Sequence, residues 1–280
     1  MPSAEESQYF AAGSYLCCIT GNRNLIKLIP KQWEKYKKGI ECPAKTINLY
    51  LEEGKIESIN EIQADGWIMQ EVGDYHQAVN FHHGKAILEI LYRDDCNVII
   101  KVAKALDSYV RIGIHYGLMM ALHQECVGLH GVTLLCGNEF IILSAPSGTG
   151  KTTLSKLLEQ YCDAVVINGD FALLHPTEDG VVFEPTPFCG TSRRCLDFRL
   201  VIDRVVFLSQ AKENTWHELS GREALSSFMS NTFIPTGDHS MQQAVQYNIM
   251  KCLSGMKADA YAFAPTKEAA ETFYKHIMTQ

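Results

Sequence analysis

The chain has 280 residues, 46% hydrophobic and 20% charged, and a net charge of -7. That length buries a full core as one large or two smaller domains, and the balance is that of a soluble globular protein. With no long lysine or arginine run and only strand-length apolar runs, a large nucleic-acid footprint and a membrane-crossing helix are both excluded.

The N-terminus, MPSAEESQYFAAG, is polar and acidic and has no secretory apolar region. Ten cysteines are scattered with no CxxC pair. Buried free thiols in a cytoplasmic protein are therefore expected, rather than disulfides or zinc ligands. Residues 1–105 read as short strands: SYLCCIT (14–20), LIKLIP (25–30), TINLYLEEG (46–54), WIMQEVG and KAILEIL. Glycines 54, 73 and 84 and the pair Asp94-Asp95 punctuate them. This stretch is expected to form a smaller β-rich domain with an accessory or substrate-recognition role. Its segment DYHQAVNFHHG carries His76, His82 and His83. Alternating strand positions account for them, and a metal site is the other reading, for which the sequence fixes no carboxylate partner.

Over 104–125 the period changes. Val110, Ile114, Leu118 and Leu122 recur every fourth residue, which predicts a largely buried helix opening a second domain over 106–280. VGLHGVTLLCGNEFIILSA then reads as two strands joined by a Gly137-Asn138 turn. TTLSKLLEQY is a helix with Leu154, Leu157, Leu158 and Tyr161 inward, and AVVIN (164–168) a fully buried strand. VVFEPTP follows the Glu178-Asp179-Gly180 turn, and RVVFLSQ (204–210) is another buried strand. SGRE (220–223) is a capping box opening EALSSFM, in which Ser220 and Glu223 satisfy each other's backbone donors. QQAVQYNIMKCL adds a helix, and YAFAP and TKEAAETFYKHIM close the chain as strand and helix. The alternation predicts an α/β fold with helices on both faces of a sheet.

The stretch SAPSGTGKTTLSK (144–156) lies between the buried strand and the helix. It matches the Walker A pattern G-x-x-x-x-G-K-[ST], except that Ala145 replaces the first glycine. Ser147, Gly148, Thr149, Gly150, Lys151, Thr152 and Thr153 are the candidate nucleotide-binding residues. Gly148 and Gly150 let backbone N–H groups turn toward phosphates at the positive end of the following helix. Lys151 neutralises phosphate charge, and the Thr152 hydroxyl is placed to ligate Mg²⁺. Asp170, just beyond AVVIN, is the candidate second metal anchor or catalytic carboxylate. An ordinary turn aspartate is the other reading. PTPFCGTSRRCLDFR (185–199) offers backbone donors at Gly190, Thr191 and Ser192 and charge from Arg193 and Arg194. Ser192, Arg193 and Arg194 are candidate substrate residues there, against the reading of a solvated surface loop. Cys189 and Cys195 have no neighbouring base in the sequence, and Ser192 lacks a nucleophile-elbow context.

The block LHGVTLLCGNEFIILSAPSGTGKTTLSKLLE resembles the C-terminal kinase domain of the HPr kinase/phosphorylase family. That family shares its nucleotide-binding core with ATP-dependent phosphoenolpyruvate carboxykinase, whose loop GTGKTTLS stands letter for letter at 148–155. The resemblance covers roughly residues 128–210. It implies a P-loop core of that type, ATP and Mg²⁺ as cofactors, and His130 of Leu129-His130-Gly131 pointing into the active site beside the acceptor. The family carries an Asp-Asp pair after the buried strand where this chain has Gly169-Asp170-Phe171. Asp170 therefore inherits either the metal or the acceptor-side role, and either Asp170 or His130 takes the proton. The glycine-rich phosphorylase signature and the HPr-type N-terminal domain are absent. The resemblance thus implies a stand-alone phosphotransferase acting on a serine-type hydroxyl in a peptide, protein or small molecule, and by analogy a homo-oligomer. Two alternatives stand beside it: a catalytically reduced nucleotide-binding scaffold or switch, and a carboxykinase-like lyase. The lyase falls behind because the chain is short for two lobes and shows no lysine–histidine metal pair.

Overall fold

The computed structural model describes residues 5–36, 42–56, 65–94, 96–233 and 238–279; Asp95 and residues 1–4 lie outside them. Helices and sheets are mixed, and the chain divides into two compact units. One comprises Met1–Gln124 with Ile234–Ala244, the other Glu125–Phe233 with Val245–Gln280.

The first unit holds strands β1 (Glu5–Ala12), β2 (Tyr15–Asn22), β3 (Lys45–Glu53), β4 (Gly66–Val72), β5 (Tyr75–His82), β6 (Lys85–Asp94) and β7 (Asn97–Val102). They form one sheet in the order β1-β2-β3-β7-β6-β5-β4, with β3 parallel to both β2 and β7. Residues 25–30, expected as a strand, instead begin inside a one-turn helix, α1 (Arg23–Ile26). Asn22 ends β2 and caps that turn by accepting from the backbone N–H groups of Asn24 (3.0 Å) and Leu25 (3.1 Å). Adjacent Leu25 and Ile26 are then both buried, which an alternating strand would not allow.

Helix α2 (Asp107–Ala121) follows. Its sequence position opens the expected second domain, yet it packs on β3, β6 and β7 of the first sheet. Gly113 and Gly117 are the reason. A Cβ at 113 would lie 2.5 Å from Ile100 Cγ2, and one at 117 would lie 3.0 Å from Ile100 Cδ1. Each glycine costs about 1 kcal/mol of helix propensity, and the close approach to the sheet offsets that loss. The three histidines of the hairpin region do not converge. His76 bonds the buried Asp238, whereas His82 lies 3.3 Å from Asp65 and against the His83 ring.

The second unit is built on strands β8 (Val127–Cys136), β9 (Glu139–Ser144), β10 (Val165–Asn168), β11 (Phe171–Thr177), β12 (Gly180–Glu184), β13 (Leu200–Ile202), β14 (Arg204–Gln210), β15 (Thr215–Glu218) and β16 (Lys257–Phe263). The sheet order is β13-β12-β11-β8-β9-β14-β16-β15, with β10 attached to β8. Its helices are α3 (Lys151–Tyr161), α4 (Gly221–Met229) and α6 (Lys267–Met278), while α5 (His239–Gly255) contains the division between the units. The β8–β9 hairpin turns at Gly137, where φ is 61°, and β9, β14 and β16 run parallel. Val206 and Leu208 pack with Leu154 and Leu158 of α3 and Phe273 of α6. Phe207, on the opposite face of β14, meets Phe228 of α4, so helices cover this sheet on both sides.

The capping box forms: Ser220 Oγ accepts from Glu223 N–H and Glu223 accepts from Ser220 N–H at 3.0 Å. Two expected burials do not. Tyr161 is 42% exposed, with Lys267 Nζ above its ring, because it ends α3. Val165, the first residue of β10, is 48% exposed. The ten cysteines are free thiols. Among the described residues no helix is long and apolar enough to cross a membrane.

The helix–sheet contact at Gly113 is testable. Gly113→Ala is expected to destabilise by about 1–3 kcal/mol through overpacking. Adding Ile100→Val should recover part of that, a coupling readable by a double-mutant cycle in urea. Unchanged stability in Gly113→Ala would show that the approach is not tight.

Candidate functional site

Strand β8 carries the geometry. Along one edge, residues 133–135 pair with β10 and residues 127–130 pair with β11. Between those two partners the chain leaves the ladder for only Gly169 and Asp170. Asn168 makes that excursion, its side-chain carbonyl accepting from Asp170 N–H (3.1 Å) and Phe171 N–H (3.2 Å). Asp170 therefore stands out of the sheet with its carboxylate 42% exposed. Its backbone carbonyl is turned back, accepting from Gly131 N–H at 2.9 Å.

Along the other edge of β8, pairing with β9 ends at Gly131↔Ser144. There β9 peels away into the glycine loop, and the vacated edge is taken by Asn231 and Thr232. His130 is thus the residue where β9 departs on one side and Asp170 protrudes on the other. Its Nδ1 lies 3.1 Å from the Asp170 carbonyl and 3.7 Å from Asp170 Oδ1. A carbonyl only accepts, so Nδ1 carries the proton and Nε2 the lone pair.

The loop between Ser144 and Lys151 has the backbone its glycines predict. Gly148 (φ 82°) and Gly150 (φ 113°) both adopt left-handed conformations. No heavy atom lies within 4 Å of where a Gly148 Cβ would stand, and Ser147 and Gly148 face solvent. Lys151, only 7% exposed, donates to the carbonyls of Ala145 (2.6 Å) and Pro146 (3.1 Å). Thr152 and Thr153 follow it, exposed, in the first turn of α3. Thr149 folds its hydroxyl onto Pro146 O at 2.9 Å.

Lys151, His130 and Asp170 share one electrostatic neighbourhood. Burial holds the His130 imidazole below its ordinary 6.5, and the Lys151 charge pushes the same way, against the opposing pull of Asp170. Burial also holds the Lys151 ammonium below its usual value, and Asp170 partly restores it. His130 is therefore a neutral base at neutral pH.

The 189–194 segment closes over Asp170. Gly190–Ser192 form a single 3-10 turn anchored by buried Cys189 and Cys195. A Cβ on Gly190 would lie 2.6 Å from Asp170 Cγ, so only glycine brings backbone that near the carboxylate. A Cβ on Gly169 would lie 2.0 Å from Ser192 Oγ and 2.6 Å from Ser192 Cβ. Ser192 thus occupies the space where a side chain at 169 would begin. Its hydroxyl donates to Cys189 O at 2.7 Å. Arg194 is held by Glu159 of α3, and its carbonyl accepts from Gly169 N–H at 3.0 Å. Arg193 is exposed in a left-handed conformation (φ 54°); of Thr191 only the backbone is described.

Two contributors escaped the sequence reading. Gln210 ends β14 and extends Nε2 to the loop carbonyls of Thr149 (3.3 Å) and Gly148 (3.5 Å). Nothing in its spacing announces this; the parallel neighbour relation of β9 and β14 would have suggested it. Glu159 looks like an ordinary polar helix residue, yet it pairs with Arg194. The donor set suits a hard divalent cation in chemistry: the Thr152 hydroxyl and the Asp170 carboxylate are oxygen ligands open to solvent.

No family model and no curated protein matches the chain. Among solved structures, the chain is similar to the HPr(Ser) kinase/phosphatase from Coxiella burnetii at 9% identity and a TM-score of 0.31. The match covers 54% of this chain and 94% of that one. A likeness of that size carries no argument about activity, which has to come from the residues themselves.

Gly169→Ala is expected to displace the 189–194 segment and cost about 1–3 kcal/mol. Ser192→Gly in the same chain should restore most of it in thermal melts; no recovery would mean that the two positions do not share the space. Second, His130 followed by proton NMR should titrate below 6.5. Lys151→Met removes a charge that opposes imidazolium, so the midpoint should rise. An unchanged or lower midpoint would contradict the shared field.

Proposed function

We propose that this chain is an ATP- and Mg²⁺-dependent kinase that transfers the γ-phosphoryl group to a serine-type hydroxyl of a peptide, protein or small molecule. The observation that carries the reading is the meeting of Lys151, His130 and Asp170 beside a glycine loop that opens a helix. The likeness of residues 128–210 to the HPr kinase core supports it from the sequence side.

In this reading the N–H groups of the 147–152 stretch receive the phosphates at the positive end of α3. Lys151 exchanges two neutral carbonyl acceptors, Ala145 O and Pro146 O, for phosphate oxygens, which gives stronger charge-assisted bonds. Thr152 and Asp170 would hold Mg²⁺, which when bound supplies charge neutralisation at the β- and γ-phosphates. The acceptor oxygen forms a bond to the γ-phosphorus, and the bond from that phosphorus to the β–γ bridging oxygen breaks, leaving ADP. The hydroxyl proton passes to Nε2 of His130, whose Nδ1 proton is held by the Asp170 carbonyl. This division lets a single carboxylate serve the ion while the imidazole serves as base. Arg193 and Ser192 would face the acceptor, and Arg194 would brace the segment through Glu159.

A nucleotide-binding scaffold is the second reading, favoured by the missing carboxylate at Gly169. One assay separates them: γ-labelled ATP and Mg²⁺ with serine peptides, free serine, nucleosides and oxaloacetate. Labelled peptide or small hydroxyl product is expected, with Asp170→Asn removing transfer at an unchanged melting temperature. Lys151→Ala should abolish nucleotide binding. Full transfer in Asp170→Asn, or turnover of oxaloacetate instead, would sink the kinase; binding without transfer to any acceptor would favour the scaffold.

A further inference from the structure

The sheet of the first unit has two unlike faces. Val98 and Ile100 of β7, with Leu88 of β6, turn toward the glycine face of α2. Ile99, between the first two, points to the other side and is 37% exposed. Pairing aligns one row of side chains straight across that other face: Thr20↔Tyr50, Tyr50↔Ile99 and Ile99↔Leu91. It continues through Leu91↔Gln77 and Gln77↔Gln70. The ends of the row close on themselves. Thr20 bonds Ser7 at 2.9 Å, and Gln70 donates to Gln77 at 2.8 Å. Its middle, Tyr50–Ile99–Leu91, has no such satisfaction and lines a cleft of about 990 Å³ together with Tyr75.

The same cleft is lined by Glu5, Glu52, Glu53, Asp94 and Arg93. Glu53 accepts from Ala105 N–H at 2.9 Å and Asp94 from the N–H groups of Cys96 (2.9 Å) and Asn97 (2.8 Å), so Glu5 and Glu52 are the carboxylates offered to an occupant. Lys101, next to Glu52 in the register, is already paired with Glu89 at 3.2 Å. Apolar side chains beside the Glu5 and Glu52 carboxylates select the occupant. Phosphate backbones and anionic lipid surfaces are repelled. A second copy of this chain, at a net charge of -7, would set like charges against like across a two-fold contact. The chain has no long basic run of its own to lay there.

We propose that this face is a docking surface for a basic segment of a partner polypeptide, whose aliphatic or aromatic side chains cover Tyr50, Ile99 and Leu91 while its lysines or arginines meet Glu5 and Glu52. The part-exposed Tyr50 is the anchor, since aromatic side chains in a desolvated centre dominate such interfaces. The carboxylates around it set orientation and encounter rate. The proposal concerns binding alone and stands whether or not the second unit transfers phosphate.

The test uses the full chain and two fluorescein-labelled peptides, one of alternating lysine and leucine, the other of alternating glutamate and leucine. Anisotropy is expected to report binding of the lysine peptide only, weakening about tenfold or more as salt is raised. Tyr50→Ser with Ile99→Ser should weaken it about tenfold, and Glu5→Lys with Glu52→Lys should weaken it and flatten the salt dependence. All four substitutions lie at exposed or partly exposed positions, and circular dichroism checks that the variants remain folded. Equal binding of both peptides, equal binding by every variant, or no binding of the lysine peptide would each overturn the proposal. So would concentration-dependent dimerisation abolished by Tyr50→Ser with Ile99→Ser, which would assign the face to a second copy.

Discussion

Everything at the candidate site depends on how β8 shares its two edges. Buried backbone donors and acceptors must be paired, and β8 meets that demand with four different partners along its length. On one edge β10 gives way to β11, and the two residues skipped between them are Gly169 and Asp170. On the other edge β9 gives way to Asn231 and Thr232, and the chain released is the glycine loop. Both exchanges occur around His130 and Gly131. A continuous ladder on either edge would remove the loop or the aspartate. Asp170 and the glycine loop emerge where β8 changes partners, and His130 is the paired residue between them.

Close backbone approach then fixes the details. At Gly131 a Cβ would stand 2.7 Å from Ile142 Cγ2 and 2.9 Å from Leu143 O, so β8 and β9 could not meet there with a side chain between them. Gly190 serves the same purpose against the Asp170 carboxylate. Gly169 is the instructive case. In space it is a packing requirement, because Ser192 fills the volume that a side chain would need. Glycine at 169 and the seating of the 189–194 segment are therefore one requirement, not two.

How much of this was legible in the sequence follows from the range of each interaction. The β8–β9 hairpin, the glycine loop before α3 and the Ser220–Glu223 box are local, and local rules foretell them. The placement of α2 was not legible, since its apolar stripe tells that it is buried but not against which sheet; Gly113 and Gly117 held the answer in their fit to Ile100. The segment 25–30 failed for a different reason. Its apolar content suits a strand, and the Asn22 side chain overrides it by satisfying the first turn of a helix. Arg194 could be read as a cation, but its pairing with Glu159 joins positions far apart in sequence. Asp170 was legible as a candidate, whereas its carbonyl's hold on His130 was not, because a backbone atom leaves no mark in the residue type.

That backbone hold has a consequence for proton transfer. A histidine oriented by a carboxylate gains basicity from the charge, whereas one oriented by a carbonyl gains direction and little charge. His130 has the carbonyl at Nδ1, while the Asp170 carboxylate stands slightly farther off and Lys151 opposes it. Its base strength is thus lowered first by burial and next by the Lys151 charge, with Asp170 opposing both. On the phosphotransfer reading, phosphates beside Lys151 would relieve only the part of that lowering which Lys151 supplies, and an ion on Asp170 would act the opposite way, so burial keeps the imidazole below its ordinary value.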